Sequence, residues 1–347
     1  MRRMLATLAA ALVGTVLTST ARPCSRVLWN DNGRSVLVGR NMDWFEDLKS
    51  NLWVLPRQMK RDGLAATNPL AWTSKYGSLV ITGYDSVAAD GINEKGLAAH
   101  MLYLPETKPG PRDEKVPGLA ITMWVQYYLD NFATVKEGLE ALKTRPYQLL
   151  MTVEPTSGMA GTIHIALDDP TGDSAVLECI DGEIKVYHSR DYTVMTNQPT
   201  FDRQLENLKQ YRGFGGDKRL PGTHEAADRF VRAAYYVKNL PRPKTDREAV
   251  AAMLSVMRNV SAPFGVADPE RPNIATTIWR TVTDLTHGVL YYDGVFSPQV
   301  FWVDTNKLKF DAGEPVRKLT VVDHFDLMGE VSGKFEKAEM FQFLRPN

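Results

Sequence analysis

The pair Asn32-Gly33, set in the run SRVLWNDNGRSVLVGRNMDW, constrains the fold of this chain more than any other short feature. Apolar residues alternate or cluster as β-branched runs on both sides of it, and Asn-Gly is the dipeptide that most readily accepts the left-handed backbone of a two-residue hairpin turn. With Asn32 and Gly33 as that turn, Asp31 faces Arg34, and pairing continues outward until Cys24 faces Asn41. Arg40 and Asp43 then fall at the Cys24 end of the ribbon, and Trp44 directly follows Asp43. A thiol, a guanidinium and a carboxylate are thereby gathered at one strand end.

The remaining patterning switches between strand and helix periods. SLVITGYDSVAADGINEKGLAAHMLYLP reads as two strands joined through DGINEKG, with Gly91 and Gly96 bracketing the turn and the segment ending at Tyr103. Residues 117–143 carry helical spacing in two parts, with Asn or Thr opening the second. Residues 161–197 read as an antiparallel meander that turns at Pro170 to Asp173 and at Asp181-Gly182. HEAADRFVRAAYYVKNL and DREAVAAMLSVMRNV predict two more helices, and GVLYYDG and QVFWVDTNK predict closing strands. With no repeat and no linker in sight, the expected fold is α+β: one domain from residue 24 to 347, two antiparallel sheets packed together with helices outside.

Residues 1–23 have a different character. Arg2 and Arg3 precede the apolar run MLATLAAALVGTVL and the small-residue stretch TSTA, the pattern of an export leader that is removed. The run falls short of the roughly 20 residues a membrane-spanning helix needs. The expected mature protein is therefore exported, most simply to a bacterial periplasm, without a stable membrane anchor. Lys and Arg together number 41, as do Asp and Glu, so no basic field draws the chain to nucleic acid, and a small neutral or amphiphilic molecule is the expected partner.

Only two cysteines occur, Cys24 and Cys179, too few for a disulfide framework, although one bridge stays open. Cys179, in SAVLECIDG, reads as a buried small apolar residue. Cys24 admits three readings. Lipidation needs small uncharged residues before the cysteine, and Arg22 and Pro23 oppose it. Simple packing is the second. The third is catalytic: cleavage before Cys24 would give the thiol an α-amino group of its own, titrating near 7.7 to 8.0, which can take and return the proton of a thiol whose ordinary pKa is about 8.5. Such a nucleophile requires a nearby cation, an anion to hold the ammonium, and donors for an oxyanion.

Other chemistries leave no trace. The six histidines are scattered, without HExxH or CxxC, so no metal site and no cofactor motif is legible; GxSxG, P-loop and GxGxxG patterns are missing.

The markers CSRVLW, GRNMDW, DGINEKGL, TNQPTFDRQLENL and DRFVRAAY, in this order, resemble those of the choloylglycine hydrolase (linear amide C-N hydrolase) family, which includes penicillin V acylases and bile salt hydrolases. The resemblance implies the N-terminal nucleophile hydrolase fold, an αββα sandwich, and cleavage of a linear amide through a thioester. It also implies roles: Cys24 as nucleophile with its own amine as base, Arg40 beside the sulfur, Asp43 holding the amine, Asn197 as oxyanion donor with a second donor near Tyr103, Arg229 completing the polar set, and Trp44 lining an acyl pocket. Bile salt hydrolases tend to carry Asn where this chain has Tyr103, and the stretch from Asn197 to Arg229 is short. Both features resemble the Gram-negative branch, which implies penicillin V and N-acyl homoserine lactones as substrates ahead of conjugated bile salts. The short stretch trims a segment used for tetramer assembly, leaving a homo-oligomer of open size. Conjugated bile salt hydrolysis is the rival enzyme reading; an exported binding protein or lipoprotein with an inert Cys24 is the rival outside catalysis.

Overall fold

The computed structural model describes residues 24–153, 158, 160–264 and 275–346; the leader expected over residues 1–23 lies outside the described residues. In chain order the strands of its two large sheets are β1 (Ser25–Trp29), β2 (Leu37–Trp44), β3 (Leu52–Leu55), β4 (Ser78–Gly83), β5 (Val87–Asn93), β6 (Ala98–Tyr103), β7 (Ile163–Asp168), β8 (Ser174–Ile180), β9 (Glu183–His188), β10 (Val194–Thr196), β11 (Thr276–Asp284), β12 (Val289–Gly294), β13 (Val300–Asp304), β14 (Arg317–Leu319), β15 (Gly329–Glu330) and β16 (Glu336–Lys337). The helices are α1 (Trp124–Asn131), α2 (Val135–Thr144), α3 (Phe201–Leu208), α4 (Ala226–Lys238) and α5 (Asp246–Asn259). Among the described residues no helix is long and apolar enough to cross a membrane.

One sheet runs β10-β1-β2-β11-β12-β13-β15, the other β9-β8-β7-β6-β5-β4-β3-β14-β16. Alternation along β4 shows how they stack. Leu79 and Ile81 belong to the core shared with the first sheet, whereas Val80 belongs to the core beneath α1 and α2. Both faces of the strand are buried, so its apolar run is continuous. Helices α4 and α5 cover the outer face of the seven-stranded sheet, and α1 covers that of the nine-stranded one. The expected order of helix, sheet, sheet, helix holds. Thr134 opens α2 and Thr245 opens α5, each accepting the N–H three residues on.

The first hairpin departs from the expected register. Ser25, not Cys24, faces Asn41, and Arg26 faces Arg40. The cause lies in the connection: β1 stops at Trp29 and β2 starts at Leu37, and Asn32 is spent on a wider turn, its buried Oδ1 accepting the N–H groups of Arg34 and Ser35. A one-residue slip exchanges the two faces of a strand. Here it moves Arg40 onto the Cys24 and Arg26 face, toward the second sheet, and sends Asn41 outward, where its amide donates to the Met257 carbonyl of α5.

Two further expectations are corrected. The segment from Ser78 to Tyr103 holds three strands, not two, and Gly91 lies inside β5. A Cβ there would meet both Leu129 Cδ1 and the Leu79 carbonyl oxygen at 2.8 Å, so this glycine permits close approach rather than a turn. Strand β11 and helix α3 were not anticipated. TTIWRTVTD sets only Ile278, Trp279 and Val282 among Thr, Arg and Asp, yet it sits at the middle of the first sheet between β2 and β12. Turns at Pro170 to Asp173 and at Asp181-Gly182, both of the latter at positive φ, occur as expected.

Candidate active site

Cys24 lies at the head of β1, buried, between β2 on one side and β10 on the other. Its Sγ is 3.6 Å from the Asp43 carbonyl oxygen, to which the thiol donates. Strand β10 pairs Thr196 with Ser25, and the next residue, Asn197, thereby meets Cys24: its Oδ1 accepts the Cys24 N–H, and its Nδ2 donates to the Tyr103 carbonyl at 2.8 Å. A side-chain amide carries two hydrogens, so Nδ2 keeps a second one for another acceptor. The position of Asn197 is fixed from behind, since Gln204 of α3 donates to Thr196 Oγ1 at 3.1 Å and to the Gln198 carbonyl at 2.9 Å.

Arg229 enters from the first turn of α4. Its Nη1 donates to the Cys24 carbonyl at 2.5 Å and to Ser25 Oγ, its Nη2 to Asn197 Oδ1 at 3.0 Å, and its Nε to the His224 carbonyl at 2.9 Å. Burial pulls its pKa down to about 10 against the attraction of Asp43 and Cys24, which leaves it charged at neutral pH. Arg40 donates to the Asn41 and Met101 carbonyls, the latter at 2.5 Å, and its guanidinium sits 5.6 Å from the Trp279 ring centroid. Two cations thus flank the head of β1, Arg229 from α4 and Arg40 from the neighbouring strand β2.

Asp43 is fully buried, and among the described residues neither carboxylate oxygen has a hydrogen-bond partner. Burial pushes its pKa up to about 6, against the pull of Arg229, the nearby Thr277 hydroxyl, Arg40 and Arg280. In the uncut chain the Cys24 nitrogen is a peptide N–H and offers this carboxylate no charge. A carboxyl that holds its proton better folded than unfolded contributes stability that is complete below about pH 4 and lost as pH rises through about 6. The unprocessed chain is therefore expected to lose about 2 kcal/mol from this group between pH 4 and 7. Urea unfolding at both pH values, in chains that keep the residues before Cys24, should show that part of the difference vanish in Asp43→Asn.

An apolar cavity opens beside the thiol. Cys24, Arg40, Trp44 and Tyr103 line it together with Met42, Tyr84 and Ile163, so four of the seven expected site residues share one cavity and the other three, Asp43, Asn197 and Arg229, contact Cys24 or act on it from behind. Trp44 is set by its indole N–H, which donates to Tyr84 Oη at 3.1 Å, while Tyr84 donates to Glu46. Cys179 is buried and free, and burial pushes its thiol up to about 11. No bridge joins it to Cys24.

Sequence reading missed the layer beneath the site. Arg26 forms a buried ion pair with Asp168 and donates to Ser174 Oγ at 2.7 Å and the Tyr192 carbonyl at 2.9 Å. His100 Nδ1 lies 2.7 Å from Asp90, whose other oxygen accepts from Thr281 at 3.1 Å; burial holds the His100 pKa below its usual value in spite of Asp90. These groups join β1 to β7 and β8, and β5 and β6 to β11, across the sheet interface. Their partners stand far apart in the chain and form no local motif. The only available signal was alternation, which puts Arg26 on the Cys24 face.

The stacked sheets, with a buried thiol heading an inner strand, have the architecture of the N-terminal nucleophile hydrolases, enzymes that act on linear amide C-N bonds in the group to which this site belongs. The chain belongs to the choloylglycine hydrolase family of linear amide C-N hydrolases, whose model matches residues 24–318. It is 39% identical to a penicillin V acylase of Pectobacterium atrosepticum, over 95% of this chain and 94% of that one. The structure of a penicillin V acylase from Agrobacterium tumefaciens aligns with a TM-score of 0.84 at 41% identity, covering 93% of this chain and 100% of the other. A conjugated bile acid hydrolase from Clostridium perfringens aligns at 0.71 and 26% identity, covering 86% and 97%.

Proposed function

We propose that this hydrolase is a cysteine amidohydrolase of the penicillin V acylase type, which works once the residues before Cys24 are removed and the Cys24 α-amine is free. The observation that carries this is the double placement of one residue: the Cys24 thiol lines an apolar cavity while its backbone nitrogen points at Asn197, within the ring of Asn197, Arg229 and Asp43. The free α-amine takes the thiol proton, and the thiolate attacks the amide carbonyl. Negative charge collects on the carbonyl oxygen, where the second hydrogen of Asn197 Nδ2 stabilises it. The ammonium then protonates the departing amine as the C-N bond breaks, leaving a thioester. Water, deprotonated by the same amine, attacks the thioester, and the carboxylic acid leaves as the thiol is restored. Asp43, ionised, faces the ammonium and keeps it in place.

The apolar walls support an acyl group such as phenoxyacetyl or a fatty acyl chain, and hence penicillin V and N-acyl homoserine lactones as substrates. Conjugated bile salts are the rival. Balanced charge and the leader motif support a periplasmic enzyme that needs no nucleic acid or membrane partner; the homo-oligomer rests on the family resemblance alone. Intact mass of the purified protein should give a chain that begins at Cys24; a stable start at Arg22, or a lipidated cysteine, would refute the mechanism. Turnover of penicillin V and acyl homoserine lactones beside glycocholate decides the substrate class, and rapid glycocholate hydrolysis without penicillin V cleavage would overturn the preference. Asn197→Ala is expected to lower kcat by about 100-fold or more, with a smaller change in KM.

A further inference from the structure

We infer that the C-terminal tail supplies the part of the acyl cavity wall that sets acyl length, with Leu344 as the specificity-determining residue. This rests on the reading that the cavity beside Cys24 takes the acyl group. The family pattern ends at residue 318, and the tail that follows returns to the cavity from outside that shared region. Strand β16 pairs with β14, and the Ala338 N–H donates to the Val316 carbonyl at 3.0 Å. Phe341 is buried with its ring 5.1 Å from that of Trp53, and Phe343 packs on Phe341 with ring centroids 4.7 Å apart.

These contacts deliver Leu344 between two walls of the cavity. Its N–H donates to the Ser86 carbonyl at 2.9 Å, and its carbonyl accepts from Thr122 Oγ1 at 2.7 Å. Ser86 belongs to the turn joining β4 to β5, and Thr122 to the short turn of helix at Ile121–Met123 before α1. Ser86, Thr122, Leu344 and Cys24 all line the same cavity. The backbone of Leu344 is therefore held at both ends by groups independent of its side chain. The side chain can change the size of the cavity without releasing the tail, and it fills space that a longer acyl group would need.

The test compares Leu344→Ala, Leu344→Trp and the volume-conserving Leu344→Met with the unaltered enzyme. The probes are N-butanoyl, N-octanoyl and N-dodecanoyl amides of one amine, with kcat/KM as readout, and the matching free acids, with affinity by calorimetry. Leu344→Ala should move the long-to-short ratio toward the long chain by about 10-fold, Leu344→Trp should move it the other way, and Leu344→Met should leave it near the starting value. A structural role alone would lower all chain lengths by a common factor, and that result overturns the inference. If the unaltered protein hydrolyses none of the amides, the proposed function fails on its own. The affinities of the free acids then decide the wall: a shifted length preference sustains it, and an unchanged one overturns it.

Discussion

Cys24→Ala is expected to lower kcat by about 10⁵-fold or more while leaving the unfolding midpoint within a few degrees of the parent. Removal of a covalent nucleophile costs on that order because the barrier it divided in two returns undivided. Cys24 gives little to stability by comparison: besides its packing in the core, its Sγ makes one long hydrogen bond to the Asp43 carbonyl, and the polar ring is held through its backbone. Alanine keeps that backbone. The contrast between lost turnover and kept stability, measured by steady-state kinetics and thermal unfolding on one preparation, separates a nucleophile from a packed thiol. Retained turnover in the alanine variant would end the proposed mechanism.

Arg229→Ala should be damaging in both respects. Its guanidinium satisfies the Cys24 carbonyl, Ser25 Oγ and Asn197 Oδ1 together, all in a region without solvent. Loss of it leaves those acceptors short of donors and Asp43 without the first of the cations that oppose its burial, a combination that costs on the order of 3–5 kcal/mol. Chemical denaturation measures this. The kinetic consequence has a sign. Because Arg229 lowers the Asp43 pKa, its removal raises that pKa further, so the acid limb of the pH–rate profile should move to higher pH. Asn197→Ala, which leaves the Arg229 charge in place, should lower kcat without moving the limb as far. Equal shifts in the two variants would show that charge on Arg229 is not what tunes Asp43.

How much of this was legible differs residue by residue. Asp43 and Trp44 were readable from the first hairpin because a two-stranded ribbon brings its strand ends together. Asn197 and Arg229 were recognisable only through their family markers: a residue before a turn and a residue on a helix face carry no local sign that both meet the backbone of Cys24. Strand β11 was hidden because its Thr and Arg residues are buried against other polar groups, among them Asp90 and Asp293, so its polarity does not mark a surface. Arg26, Asp168, His100 and Asp90 were missed for the same reason, since a buried charge is stable only beside a partner that the linear order does not reveal.

The sequence by itself determined the pieces with short range: strand and helix periods, the β1–β2 ribbon, the threonine cap of α2, and a thiol placed just after an apolar run that reads as an export leader. Those follow from side-chain spacing and backbone preference within a few residues. Local too is the register that puts Arg40 on the same face as Cys24, since the Asn32 side chain widens the turn and exchanges the faces of β2; tertiary structure decided what covers that ribbon, with Asn41 donating to the Met257 carbonyl of α5. It also decided that Asn197 and Arg229 close around Cys24 and that the tail bearing Leu344 reaches the cavity. Each of these depends on how the two sheets and their helices stack, and burial of apolar faces, not local propensity, fixes that stacking.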